Sequence, residues 1–202
     1  MTVVKFCGMR RAEDIDAVNR LKPEYVGFVF VPSRKRYISP DEAAALREKL
    51  APEIKAVGVF VNEDISTVRD LLWRGIIDIA QLHGTESENY IRTVHDMTDK
   101  QVIKAFGIQS AADLEKAYFS SADLVLLDSP GGGTGGAFNW ELLKDFRRKF
   151  FLAGGLDPQN VSEAIKLIDP YGLDVSSGIE TDGFKDPLKM EAFMANVRKD
   201  IR

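Results

Sequence analysis

One pattern constrains this chain more than any other. A short apolar, β-branched run, a turn and a longer segment of helical period recur eight times along it. The strand-like runs occupy residues 3–7, 25–30, 54–61, 77–82, 101–106, 123–128, 150–153 and 172–176. Helix-like segments occupy 13–21, 40–50, 65–73, 86–95, 111–119, 140–149, 158–168 and 187–198. Ser39 before Pro40, Asp157 before Pro158 and Asp186 before Pro187 carry the cap-then-proline signature of a helix start. Strands alternating with helices call for crossover connections and a parallel sheet. Eight units spaced by roughly 25 residues suit a closed α/β barrel of the (β/α)8, or TIM, type better than an open doubly wound sheet. They use nearly all of the 202 residues, so a single domain, 1–202, with short loops is expected.

Strand parity sharpens the picture, because successive side chains point to opposite sides of a strand. In the first strand Val4 and Phe6 share the face suited to packing beneath helices, which turns Val3, Lys5 and Cys7 toward the barrel interior. The other polar strand residues are Lys55, Gln81, Lys104, Asp128 and Asp174. A strand covered by helices has little use for charge on its outer face, so most of these are expected to point inward. A buried ammonium needs a counter-charge. Asp174 is therefore expected to neutralise Lys5 or Lys104 across the interior.

Composition excludes several kinds of function. A formal net charge of -4 is not the basic footprint of a nucleic-acid binder. One cysteine allows no internal disulfide. The first residues lack the apolar run of a signal peptide, and no stretch approaches the ~18 consecutive apolar residues of a membrane span. A cytoplasmic protein with no membrane or nucleic-acid partner is expected. One cysteine and two histidines, His83 and His95, show no metal-ligand spacing.

Reactive groups in such a barrel collect at the C-terminal ends of the strands. Cys7 ends the first strand, before Gly8, and Asp128 ends the sixth, before Ser129, Pro130 and three glycines. His83 lies just past the fourth strand, and Arg34, Lys35 and Arg36 occupy the loop after the second. Cys7 reads either as a small buried hydrophobe or as a reactive thiol. An ordinary thiol titrates at roughly 8.5 and is a weak base at neutral pH; the inward Lys5 or a loop arginine is expected to lower that value. Asp128 either caps a turn or, desolvated at the end of Leu124-Val125-Leu126-Leu127, is kept protonated as a proton donor. His83 either orders a loop or touches substrate.

Glycines late in the chain point to the substrate. Ala153-Gly154-Gly155-Leu156 closes the seventh strand and Ser176-Ser177-Gly178-Ile179 the eighth. Glycines there let backbone N–H groups approach a ligand, and these two loops form the recurrent phosphate site of this barrel. A small phosphorylated substrate is expected. The run from Gly131 to Gly136 follows the sixth strand and reads as a mobile loop over the site. No Gly-Lys-Ser/Thr ends it, as a Walker loop requires. No Gly-rich turn follows the first strand, as a dinucleotide fold requires, and no Gly-x-Ser-x-Gly elbow is present.

At these residues the sequence resembles the phosphoribosylanthranilate isomerases. The resemblance runs from Lys5-Phe6-Cys7-Gly8-Met9-Arg10 through Ser33-Arg34-Lys35-Arg36-Tyr37-Ile38-Ser39-Pro40 and Gln81-Leu82-His83-Gly84. It continues with Asp128, Gly132-Gly133-Thr134-Gly135, the Gly154-Gly155 pair and Asp174-Val175-Ser176-Ser177-Gly178-Ile179-Glu180. The resemblance implies an Amadori rearrangement of N-(5-phosphoribosyl)anthranilate in tryptophan biosynthesis. It assigns Asp128 as general acid, Cys7 as general base and Arg36 to the anthranilate carboxylate. His83 joins the substrate site, and Gly154, Gly155, Ser177 and Gly178 hold the phosphate. It implies no metal, cofactor or obligate protein partner, and a monomer. This chain has Gly136 and Asn139 where many members have lysine and aspartate, which predicts a more flexible loop. The alternatives are another phosphate-binding barrel enzyme, such as a sugar-phosphate epimerase or an indole-forming synthase, and a non-catalytic phosphate-ligand sensor. The pairing of Cys7 with Asp128 suits none of them: an epimerase calls for metal-ligand histidines, an indole-forming synthase for a lysine acid, and a sensor for neither acid nor base.

Overall fold

The structure, a computed structural model, describes residues 2–129 and 140–199. Eight parallel strands close into a barrel in chain order: β1 Val3–Cys7, β2 Tyr25–Val29, β3 Lys55–Phe60, β4 Ile79–Leu82, β5 Val102–Gly107, β6 Leu124–Asp128, β7 Phe150–Leu152 and β8 Gly172–Val175. Between and after them lie α1 Ala12–Leu21, α2 Pro40–Arg47, α3 Ile65–Trp73, α4 Glu88–Thr98, α5 Ala111–Phe119, α6 Val161–Ile168 and α7 Pro187–Lys199. This is the (β/α)8 architecture that the alternation predicts.

Parity sorts the apolar side chains into two cores. Val4, Phe6, Val26 and Phe28 join Val18, Leu71 and Phe193 of the helices in the outer layer. Tyr25, Val57, Ile79, Ile103, Leu126 and Phe151 fill the interior. β1 lies between β2 and β8, setting Lys5 opposite Tyr25 on one side and Asp174 on the other. Lys5, with no solvent exposure, donates from Nζ to Asp174 Oδ1 at 2.8 Å. The neutralisation expected of Asp174 therefore falls on Lys5.

Lys104 departs from expectation. Its neighbours Ile103 and Ala105 belong to the interior cluster, so Lys104 takes the outer face. There its Nζ donates to Gly84 O at 2.7 Å and to Glu86 Oε2 at 3.0 Å. Helix cover tolerates a charge when a carboxylate is folded in with it, and Glu86 also accepts the backbone N–H groups of Asn62 and Gly84. Lys55 keeps inward parity but lies exposed at the start of β3.

The helix starts follow local chemistry. Ser39 accepts from Glu42 N–H while the Glu42 carboxylate accepts from Ser39 N–H, a reciprocal box that opens α2. Asp186 accepts from Leu188 N–H at 2.9 Å, so Pro187 opens α7. Asp157 instead accepts from Gln159 and Asn160 N–H at 2.7 and 3.0 Å, closing a turn, and α6 begins later than expected, at Val161. The helix expected over 140–149 is not formed. Trp140–Leu143 is a short 3-10 helix, and Phe146 N–H continues the tighter bonding to Leu143 O at 3.0 Å. Its apolar residues 140, 143 and 146 recur every third position, the spacing that stacks side chains in a 3-10 turn. A two-stranded hairpin, β9 Glu180–Thr181 with β10 Phe184–Lys185, follows β8 and has no counterpart in the eightfold pattern.

Candidate active site

Parallel strands bring Cys7 of β1 and Asp128 of β6 to the same end of the barrel. Cys7 is buried beside Gly27, where an added Cβ would fall 2.7 Å from Cys7 Sγ and 3.2 Å from Lys5 Nζ. The absent side chain at Gly27 leaves thiol and ammonium room to meet. The outcome for the thiol reverses the expected lowering. Burial pushes it above its ordinary value, and Lys5 and Lys185 offset this only in part. Asp174 adds to the effect of burial, because it neutralises Lys5 and repels a thiolate. Burial also works against the Lys5 ammonium, yet Asp174 and Cys7 hold it above the usual lysine value.

Asp128 is buried and its Oδ1 accepts from Ser129 N–H at 2.7 Å. His83 Nε2 lies 3.3 Å from Oδ2, and the His83 backbone N–H is tied to Phe60 O at 2.8 Å. The histidine left ambiguous by the sequence thus stands beside the carboxyl group, on the next strand end but one.

Arg36 reaches the site by crossing Gly8. That glycine has φ +85°, and a Cβ on it would meet Arg36 Cδ at 2.5 Å. The guanidinium donates from Nε and Nη2 to the two oxygens of Glu180 at 2.6 and 2.7 Å. Lys185 Nζ donates to the same carboxylate at 2.7 Å and to Ser176 O at 2.9 Å. Burial opposes the Glu180 carboxylate, but the Arg36 fork and Lys185 pull its pKa down to about 2. Ser176 Oγ donates to Cys7 O at 3.0 Å, joining this network to the end of β1. Arg10 and Arg11 close on the hairpin from outside, flanking the Phe184 ring and donating to Gly183 O and Lys185 O.

Glu180, Lys185 and Ser176 are the site neighbours to which sequence reasoning gave no role. Glu180 lies 144 residues from Arg36, and Ser176 lies 169 from Cys7, so no local motif announces either pairing. The one available signal was a carboxylate two residues beyond Gly178.

The two glycine loops are adjacent. Gly154 and Gly155 have φ +87° and +67°. A Cβ on Gly154 would fall 2.6 Å from Ser129 N, so the loop after β7 lies against the residue that follows Asp128. A Cβ on Gly178 would fall 1.9 Å from Leu156 O, so the β7 and β8 loops touch backbone to backbone. Ser177 opens the short 3-10 helix Ser177–Ile179. The run from Gly131 to Gly136, and Asn139, lie outside the described residues. Among the described residues no group of three or more His, Cys, Asp or Glu gathers as a metal site, and no helix is long and apolar enough to cross a membrane.

A barrel mouth that gathers a thiol, a carboxyl group, an arginine fork and two glycine loops has the parts of an enzyme that moves protons on a small anionic molecule. Residues 4–196 match the family model of N-(5'phosphoribosyl)anthranilate (PRA) isomerase. The chain belongs to that family. It is 45% identical, over 98% of its length and 99% of the relative's, to the N-(5'-phosphoribosyl)anthranilate isomerase of Clostridium acetobutylicum. The crystal structure of phosphoribosyl anthranilate isomerase from Thermotoga maritima superposes with a TM-score of 0.91 at 36% identity, covering 98% of this chain and 100% of that one. A phosphoribosyl anthranilate isomerase in complex with reduced 1-(o-carboxyphenylamino)-1-deoxyribulose 5-phosphate gives 0.88 at 36% identity, with the same coverage.

Proposed function

We propose that this chain isomerises N-(5'-phosphoribosyl)anthranilate to 1-(2-carboxyphenylamino)-1-deoxyribulose 5-phosphate, an aldose-to-ketose step of tryptophan biosynthesis. It acts in the cytoplasm, as one catalytic domain. Beyond family membership, the observation that carries this reading is Asp128 and Cys7 at the same barrel mouth, with the two glycine loops in contact beside them.

The chemistry is a pair of proton transfers. Asp128 gives its proton to the furanose ring oxygen, the ring C–O bond breaks, and the nitrogen lone pair forms an iminium. Cys7, as thiolate, then takes the proton from C2 of the sugar, and the electron pair neutralises the iminium to give an enolamine. Tautomerisation yields the ketone. Arg36 holds the anthranilate carboxylate, a task for a planar, permanently charged fork. Gly154, Gly155, Ser177 and Gly178 offer backbone N–H groups to the phosphate, and His83 lines the site beside the acid.

Loss of phosphoribosylanthranilate fluorescence tests the reading. Wild type is expected to turn over this substrate, and Cys7→Ser and Asp128→Asn are each expected to lose roughly 10²–10⁴ in kcat, the usual worth of a positioned acid or base. Near-normal turnover in Cys7→Ser would remove Cys7 as the base.

A further inference from the structure

Among the described residues, the barrel interior holds a buried polar side chain beside His83 to which the mechanism gives no role. Gln81 of β4 is 1% exposed and has inward parity with Ile79. Gln81 and His83 stand two residues apart in extended chain, so their side chains leave the same face. Gln81 Nε2 lies 3.1 Å from His83 Nδ1. Gln81 Oε1 is fully buried and has no hydrogen-bond partner among the described residues. An unsatisfied buried carbonyl destabilises a fold, so packing alone would be better served here by an apolar side chain of the same length.

An amide nitrogen can only donate. If it faces Nδ1, that nitrogen must be the bare acceptor of a neutral imidazole, and the single ring proton sits on Nε2. Nε2 is the atom 3.3 Å from Asp128 Oδ2. We propose that Gln81 is a positioning residue that fixes His83 as its Nε2–H form and so keeps the protonated ring nitrogen beside the general acid. This rests on the role given to Asp128 above.

The consequence follows from charge. Oδ1 of Asp128 accepts from Ser129 N–H, and Oδ2 is the oxygen that faces His83. As the Asp128 proton moves to the substrate ring oxygen, negative charge grows on the carboxylate facing His83. The pull of a neutral N–H dipole on a neighbouring carboxyl group grows as that group becomes ionic, so a proton on Nε2 favours the transition state over the ground state. His83 keeps its own proton throughout. The opposite tautomer would present a bare Nε2 to Asp128 and compete with the substrate for the same proton.

The test reads the tautomer directly, by long-range 1H–15N correlation on the whole protein at neutral pH. The chain has two histidines, so a His83→Asn variant assigns the spectrum. Wild-type His83 is expected to be protonated on Nε2. Gln81→Met removes the donor while keeping the length. It is expected to give a mixed tautomer and unchanged or higher thermal stability. Its kcat should fall by roughly 10- to 100-fold, the scale of a misplaced catalytic group, with KM nearly unaltered. Gln81→Glu should convert the ring to a form protonated on Nδ1 and lower kcat further. A wild-type ring protonated on Nδ1 overturns the proposal, as does a Gln81→Met protein with wild-type tautomer and kcat. Should Gln81→Met not fold, the wild-type spectrum decides. Absence of turnover by the wild type would instead remove the reading of the reaction, leaving the tautomer measurement as it stands.

Discussion

At Cys7 two opposing effects act on one sulfur. Burial disfavours the thiolate, the ammonium groups of Lys5 and Lys185 favour it, and burial wins, leaving the thiol above its ordinary value. The proposed base, Cys7, is therefore stored as a thiol in the free protein. Deprotonation then comes only on the alkaline side, so kcat/KM should rise as pH increases above neutrality, with no plateau below the ordinary thiol range. A pH–rate profile already flat at neutral pH would show that the thiol is not the titrating base. Glu180 is the reverse case, since its pKa is depressed from 4.5 to about 2 by Arg36 and Lys185. A group depressed on folding contributes stability above its unfolded value and loses it as pH falls through its folded value. The difference in Tm between wild type and Glu180→Gln should therefore shrink as pH drops from 4.5 to about 2. At neutral pH the same variant loosens the Arg36 fork and should raise KM with little change in kcat, as expected when binding shared by ground and transition states is removed.

At the level of elements, the loops after β7 and β8 work as one unit because Gly178 lies against Leu156 O. A methyl group there must push backbone from backbone. Gly178→Ala is expected to cost about 1–3 kcal/mol in denaturant unfolding and to raise KM for the phosphorylated substrate, whereas wild-type values for both would separate the loops functionally. That these two loops lie side by side was legible in the sequence, because Gly154-Gly155 and Ser177-Gly178 close consecutive strands. The strands were legible too, since β-branched runs at regular spacing need no distant information, and parity alone placed Lys5 and Cys7 inside. Lys104 was misplaced because its partner Glu86 lies 18 residues away in a loop, and outward charge becomes acceptable only once that carboxylate folds over it. The 3-10 helix at Trp140–Leu143 differs from the expected helix for a local reason, since the apolar residues 140, 143 and 146 recur every third position. The hairpin from Glu180 to Lys185 consists of two-residue strands, too short to show an alternation.

In the whole molecule, Lys5–Asp174 bridges the first and last strands of the barrel, 169 residues apart. Both groups are nearly removed from solvent, with side-chain exposures of 0% and 9%. Lys5→Met leaves Asp174 buried without its partner and should cost about 3–5 kcal/mol, whereas Lys5→Met with Asp174→Leu should recover most of that loss. Equal destabilisation in the single and double variants would show that the cost comes from packing. Arg198 and Glu24 extend the same seam, with Glu24 accepting from both Arg198 Nη2 and Val4 N–H. The seam also sets an order of events during synthesis. While the chain emerges from the ribosome, Lys5 is made early and Asp174 late, so β1 has to wait through most of translation with its lysine hydrated and one edge open. Cys7 and the loop whose Ser176 hydroxyl donates to its carbonyl come together only when β8 arrives. A nascent chain halted before residue 174 should therefore be protease-sensitive along β1, and one extended past α7 should not.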